Sequence, residues 1–483
     1  MLKSNLIEAF KTFTPKEMKE FGEFVNSPYF NKNKNVKKLF DIIKKYYPEL
    51  ISDKLNKENV FSKIYTGEKY KDSTMRLLMF YLYEVVEKFF AHNRMSNNEM
   101  LYREHVVKEL LHRDLYKDFE KNIKQVTEKL NKKHAINADY YKNKFTFELE
   151  NLNYLSTVQY DKYDKFINKD TIEKVFNNLT YYYLVSVFKY YSIVLTTQTL
   201  YNTNAETHLF ENIMDSYDTE LFKGIPMINI YYNAVMCLLE PEHERHFYDL
   251  KKLVEENENY LSADDLIDLY INLENYCTRK TRIGKTEFYN ENFEILNKEL
   301  DLNIYSINGK MPLAFYKSCV VVGLQLNEFK WVKNFIEKYK HELNITDMEP
   351  VYNYCLADYE ERLGNYESAL EYLAKVKTDE LYLKIDIKML QCKLFYMLDW
   401  QVPLTSLLET FKRTLANNKL MPEKRKILYF KFIKYLNRLN NLKDNLKEID
   451  AENTLDEITK DQFFANKVWV LKRANELVKS SQK

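Results

Sequence analysis

The segment RIGKTEF, Arg282 to Phe288, carries Gly284-Lys285-Thr286, the closing residues of a phosphate-binding P-loop. Such a loop needs a second glycine five residues earlier, so that backbone amides can turn inward around phosphate, and it follows a strand. Position 279 is arginine, and the preceding run DDLIDLYINLENYCTRK has helical periodicity. The segment therefore reads as an interhelical turn. Cys277 with Arg279 and Arg282 has the composition of a cysteine-phosphatase loop, but that loop places five residues between Cys and Arg, and the position so reached is Ile283. In PEHERHFYD, His243 and His246 share a helix face with Asp249 one turn beyond, and His105, Glu109 and His112 form a second trio of zinc-binding types. Neither trio has H-E-x-x-H spacing, and acidic residues at a helix start follow from the macrodipole alone. No G-x-S-x-G elbow and no G-x-G-x-x-G after a strand is present. No catalytic, metal-binding or cofactor-binding residue emerges, and a non-enzyme without a cofactor is expected. An enzyme whose site is assembled from scattered acids and bases is a further alternative.

A second chemistry is phosphate binding by basic side chains. The run EKRKILYFKFIKYLNRLNNLKDNLK interleaves Lys424, Arg425, Lys426, Lys431, Lys434, Arg438 and Lys443 with Tyr429, Phe430, Phe432 and Tyr435. At helical spacing the aromatics share a face with Ile433 and Leu436, as core residues do, and the cations coat the other face. A nucleic-acid-binding helical protein using this 411–448 stripe is the alternative reading, with Lys424, Arg425 and Lys426 as contacts to phosphate or to an acidic partner. The whole chain has no field to recruit nucleic acid or anionic membrane, because 72 basic side chains meet 71 acidic ones. Charge is polarised along the length: Glu240 to Asn275 holds 3 basic and 11 acidic residues, and Phe411 to Glu448 holds 11 and 3.

The elements that must carry these residues are helices. With 483 residues, 45% hydrophobic, the chain exceeds the size of one core, and the composition argues against disorder. Seven glycines and nine prolines leave too few turn-formers for a many-stranded sheet. Five cysteines without a C-x-x-C pair suit a reducing compartment, and MLKSNLIEAFKTF lacks the series of features of a secretory signal, so a cytoplasmic location is expected. Thr180 to Tyr201 carries one charge, Lys189, in 22 residues, long enough to span a membrane. Its six tyrosines and central lysine instead suit the buried centre of a helical protein.

Local signals place the helices. Thr14-Pro15 with Glu17 is a capping box with proline at the first helical position, followed by the stripe Phe21, Phe24, Val25 and a loop at Pro28. Val36, Leu39, Phe40, Ile43 and Tyr47 mark a helix ending before Pro48, and Asp72 or Ser73 caps a longer one expected at the centre of the unit. Beyond Gly224, Pro226, Pro312, Pro350 and Pro422 sit near helix starts. Cys237, Cys277, Cys319, Cys355 and Cys392 keep a beat of 40, 42, 36 and 37 residues, the spacing of two-helix repeats.

Two resemblances sharpen this. The residues Phe21, Phe24, Ser27, Pro28, Tyr29, Phe30, Asn31 and Lys32 resemble the opening of a set of uncharacterised helical bacterial proteins with an S-P-Y-F-N-K segment; the likeness extends to NYCTRKTRIGKTEFY and implies no activity. LGNYESALEYLAKV resembles the middle of a tetratricopeptide repeat through Gly364, Tyr366, Ala369 and Leu373. Degenerate copies place Asn327, Phe329, Val332 and Ile336, and then Asp399 and Trp400, in corresponding slots. The expected fold is all-α: an N-terminal helical bundle (1–95), a long-helix connecting region continuing the array (96–204), an α-solenoid of tetratricopeptide-like hairpins (205–440) and C-terminal capping helices (441–483). The resemblance implies a concave groove on the first helices, holding a peptide or partner helix. Phasing from Gly364 puts Tyr354, Asp358, Glu361 and Arg362 in that groove, joined by Asn272, Asn275, Arg279, Lys317, Gln325, Asp386 and Lys393 from neighbouring alignments. The expected role is a non-catalytic protein–protein interaction scaffold.

Overall fold

A computed structural model describes residues 3–132, 136–158, 169–201, 207–306, 309–444, 446–461 and 463–482. Among them the chain is all-helical, with a single isolated bridge between Met311 and Leu343 and no strand. It divides into two compact units, Met1–Asn131 with Thr146–Thr171 and Lys132–Phe145 with Ile172–Lys483. Of the boundaries expected from the sequence, at 95, 204 and 440, the one at 204 lies outside the described residues.

The first unit contains α1 (Asn5–Lys11), α2 (Pro15–Asn26), α3 (Lys34–Lys44), α4 (Lys57–Ile64), α5 (Asp72–Ser96), α6 (Glu99–His112) and α7 (Tyr116–Asn131). The capping box forms: the Glu17 amide donates to Thr14 Oγ1 at 3.2 Å and the Thr14 amide donates to the Glu17 carboxylate at 2.8 Å. Helix α5 packs on α1, α2, α3, α4 and α6 and is the centre of the unit. Its start differs from expectation: Lys71 holds the cap position, and Asp72 binds Lys57 and Arg76 because two cations lie within reach. Helix α3 ends at Lys44, so Tyr47 leaves the helix and donates its hydroxyl to the Phe13 carbonyl at 2.7 Å. The core is aromatic: Phe21 meets Phe10, Phe13, Phe40 and Phe89 with ring centroids 5.0–5.7 Å apart. In the S-P-Y-F-N-K segment Phe30 stacks on Phe24, and Asn31 donates to the Val25 carbonyl, while Tyr29 is 87% exposed.

Helix α8 (Ala138–Val158) and α9 (Lys169–Leu200) follow, then α10 (His208–Ser216). The second unit continues with α11 (Pro226–Leu239), α12 (Arg245–Asn257), α13 (Ala263–Arg282), α14 (Phe288–Leu302), α15 (Leu313–Gln325), α16 (Phe329–Tyr339), α17 (Ile345–Leu363), α18 (Tyr366–Ala374), α19 (Leu381–Met397), α20 (Gln401–Asn417), α21 (Glu423–Asp444), α22 (Glu448–Lys460) and α23 (Lys467–Ser481). Each of these helices packs on the next, and α11 on α13, α15 on α17 and α17 on α19 pack as alternates.

Four hairpins of the second unit close in one way, which Asp114 between α6 and α7 and Asn303 at the end of α14 share. Gly284, Asn327, Gly364 and Asp399 take positive φ values of 91°, 62°, 85° and 59°. In each, the amide of that residue bonds the carbonyl three back, and the next amide bonds the carbonyl five back from itself, as with Gly364→Glu361 and Asn365→Glu360. This is the Schellman closure, which satisfies carbonyls that the ending helix leaves open. Behind the hinges the helices approach closely: Ala369 is fully buried, and a Cβ built on Gly323 would lie 2.5 Å from Val332 Cγ2. All five cysteines are free and buried, one each on α11, α13, α15, α17 and α19.

The prolines follow suit with one correction. Pro226 opens α11, Pro312 caps α15 and Pro422 precedes α21, but Pro350 lies inside α17. That helix begins a turn and a half earlier, at Ile345, because a proline in the second turn removes only one intrahelical bond.

Candidate functional site

Residues that could do chemistry in the sequence are largely absorbed by packing. Gly284 is a hinge, and Lys285 binds Glu244, which also takes Lys280 at 3.0 Å. Cys277 is buried, and that burial pushes its thiol pKa up, away from a reactive thiolate. His246 Nδ1 faces Asn233 Oδ1 at 3.1 Å, and burial lowers its pKa. In the other trio Glu109 binds Arg113 at 2.6 Å. No group of three or more His, Cys, Asp or Glu is arranged to hold a metal among the described residues. Within the second unit, Lys189 of the apolar segment binds Asp265 at 2.8 Å and Asp268 at 3.1 Å. Tyr231 and Ser262 donate to Asp265 as well. No helix among the described residues is long and apolar enough to cross a membrane.

The second unit contains a cavity of about 1440 Å³. Its wall draws on α13, α15, α17, α19, α21 and α23, with Leu195, Thr196, Gln198 and Thr199 of α9 and the Tyr201 that follows it. Asn275, Arg279, Lys317, Gln325, Tyr354, Asp358, Glu361, Arg362, Asp386 and Lys393 all line it, as do Lys424 and Arg425. Helical spacing explains the convergence: Tyr354, Asp358, Glu361 and Arg362 are four and three apart and fall on one stripe of α17. Two expected residues sit elsewhere. Asn272 is buried and donates to the Asp268 carbonyl at 2.7 Å, and Lys426 is buried against Glu423 at 2.6 Å. Neither lines the cavity, because each falls on the flank of its helix that packs on a neighbour.

Eleven basic and seven acidic side chains line the cavity, so its interior is net positive. Most of the cations are spoken for. Lys393 binds Glu361 at 3.1 Å with both side chains buried, and Arg362 lies 3.9 Å from the same carboxylate. Lys317 binds Asp386; burial presses its pKa down, and the Asp386 charge outweighs that and raises it. Arg473 binds Glu476 at 2.9 Å, and Arg279 donates to the Leu238 carbonyl at 3.3 Å. Burial also raises the Asp358 pKa against the opposing pull of Lys393.

Sequence reasoning missed two features of this wall. The carboxyl groups of Glu274 (α13) and Glu299 (α14) lie within hydrogen-bonding reach of each other. Burial raises both pKa values; the second carboxylate raises Glu299 further, whereas bonds from Glu299 and Ser318 hold Glu274 lower. The pair therefore holds a proton between its two carboxyl groups at pH values where an ordinary glutamate has lost it. The other feature is Arg282 at the end of α13, which lines the same cavity as Tyr382, Arg425 and Tyr429 and is acted on by their charges. Only the Glu274 and Arg282 positions on the concave stripe of α13, eight residues apart, signalled either of them.

The basic stripe on α21 divides in two. Lys431 binds Asp461 at 2.7 Å, Lys434 and Arg438 bind Glu457, and Lys443 binds Asp399 at 3.1 Å. Lys424 and Arg425 face the cavity instead. Tyr429, Phe432 and Tyr435 are core residues. Compared with protein-family models, curated proteins and solved structures, the chain matches none.

Proposed function

We propose that the second unit is an array of tetratricopeptide-like hairpins, and that the chain is a non-catalytic scaffold holding an extended peptide or a partner's helix in its cavity. The observation that carries this reading is the convergence of side chains from the first helix of successive hairpins, α13, α15, α17 and α19, on one concave wall. Concave stripes of that kind present alternating polar and aromatic contacts along an elongated ligand. The repeated hinge at Gly284, Asn327, Gly364 and Asp399 supports the repeat reading, and the free buried cysteines support a reducing, cytoplasmic setting. The nucleic-acid alternative draws less support, because carboxylates of the same unit already neutralise Lys431, Lys434, Arg438 and Lys443.

Selection of a random peptide library on the purified chain tests the reading. Peptides should be enriched, and their binding should vanish when Asn275, Arg279 and Gln325, which hold no ion pair among the described residues, are changed together to Asn275→Ala, Arg279→Glu and Gln325→Arg. Failure to enrich, or equal binding by the triple variant with an unchanged circular dichroism melt, would sink it.

A further inference from the structure

Arg282, Arg425 and their neighbour Lys424 line the cavity with no ion-pair partner among the described residues, as do Lys472 and the carbonyl-bound Arg279 and Lys467. Arg282 is exposed to the cavity yet surrounded by protein, and that surrounding, with the positive charge of Arg425, lowers its pKa. The carboxylate that acts on it, Asp386, is already bound by Lys317. Arg425 lies with its guanidinium 4.1 Å from the centroid of the Tyr382 ring, and its Nε is buried without a hydrogen-bond partner. Stacking occupies one face of that guanidinium and leaves its edge N–H groups for an acceptor. Tyr429 lies one turn along α21 from Arg425 and lines the same cavity as both arginines. Two like charges held together without a counter-ion are a standing repulsion in a partly desolvated site. Elsewhere in this cavity Lys280, Lys317, Arg362, Lys393 and Arg473 each lie on a carboxylate, as Lys393 does on Glu361.

We infer that Arg282 and Arg425, with Lys424 at the rim, bind a dianionic phosphate monoester in the cavity. The charge count selects the class: one carboxylate neutralises one guanidinium, whereas a phosphate monoester carries about −1.5 to −2 at neutral pH and offers three acceptor oxygens. The planar fork of each arginine suits two of those oxygens, and the Tyr382 ring fixes the plane of one fork. The group can arrive on a phosphorylated residue of a bound peptide or on a small molecule. The inference rests on the cavity being the ligand site proposed above.

Inorganic phosphate tests it without any peptide. Arginine Nε resonances of the ¹⁵N-labelled chain are followed during titration at constant ionic strength with phosphate, and in parallel with acetate. Saturable shifts with phosphate and not acetate are expected, and Arg425→Ala or Arg282→Ala should weaken them about ten- to a hundredfold. Lys434→Ala, whose ammonium rests on Glu457, should bind as the parent does. Where an alanine variant melts early, Arg425→Lys and Arg282→Lys keep the charge and should still lose several-fold by losing the fork. Responses to phosphate and acetate that are alike and linear, or parent-like affinity in both arginine variants, would overturn the inference. Comparing a phosphoserine peptide with free phosphoserine then assigns the source. Retained phosphate binding with no preference for any peptide would overturn the scaffold reading alone.

Discussion

The first unit and the second bury different things. Around Phe21 the interior is hydrocarbon and ring edges, with Phe10, Phe13, Phe40 and Phe89 packed mostly edge to face. Around the cavity of the second unit the wall buries Lys393, Glu361 and Glu299. An aromatic core gains from every contact it makes, at roughly 25 cal/mol per Å² removed from water. A buried ion pair roughly balances its desolvation against its attraction, so it adds little net stability while making each partner dependent on the other. The first arrangement suits a closed body. The second keeps charge beside a space large enough for a ligand, and the unpaired arginines show where that balance was left open.

The comparison can be broken at several points. Phe21→Ala should have the largest effect, about 3–5 kcal/mol lost in denaturant unfolding, because four rings lose a partner at once; a loss under about 1 kcal/mol would mean the cluster does not hold the unit. Lys393→Ala should cost about 3 kcal/mol by stranding Glu361, whereas Lys393→Met with Glu361→Leu should restore most of it. If the double variant is as unstable as the single one, the pair is structural in some further way. Ala369→Leu should overpack the α17–α18 hairpin by about 1–3 kcal/mol, and Ser368→Leu, half-buried beside it, should be nearly silent. Equal effects would mean the hinge phase is wrong.

The carboxyl pair gives a pH signature. Because Glu274 and Glu299 hold protons in the folded chain more tightly than at the ordinary glutamate value of 4.5, folding takes protons up. Stability should therefore fall as pH rises above about 4.5, by up to about 1.4 kcal/mol per pH unit for each proton held. Glu299→Gln keeps a donor to Glu274 and should flatten the midpoint of thermal unfolding between pH 5 and 8.5; an unchanged slope would place the proton elsewhere. The smallest effect is expected on the solvent side of α21, where Lys434→Ala should change stability by less than about 1 kcal/mol, and less still in salt.

Local rules carried the sequence reading where the physics was local. The capping box at Thr14 and the hinge at Gly364 need only nearby backbone and a residue that tolerates a positive φ, and Asn327 and Asp399 serve the second purpose in degenerate copies. Helical spacing put Tyr354, Asp358, Glu361 and Arg362 on one stripe of α17, and all four line the cavity. The same rules misplaced Pro350 and Asp72, where helix extension and nearby cations outweighed the local preference. They also gave no warning that Lys426 would be buried against Glu423 of its own helix while Arg425 stacks on Tyr382 of α19.

By itself the sequence determined the helical class, the hinges, the beat of buried cysteines and the stripes that share a face, since all follow from backbone preference and a 3.6-residue period. Only the tertiary structure decided which charges are satisfied. Lys317 meets Asp386, and Lys434 meets Glu457, across helices that no short-range rule pairs. Arg282 and Arg425, on α13 and α21, line one cavity without an ion-pair partner among the described residues for the same reason. Charge acts through space, and its balance at any point is known only once distant segments are brought together.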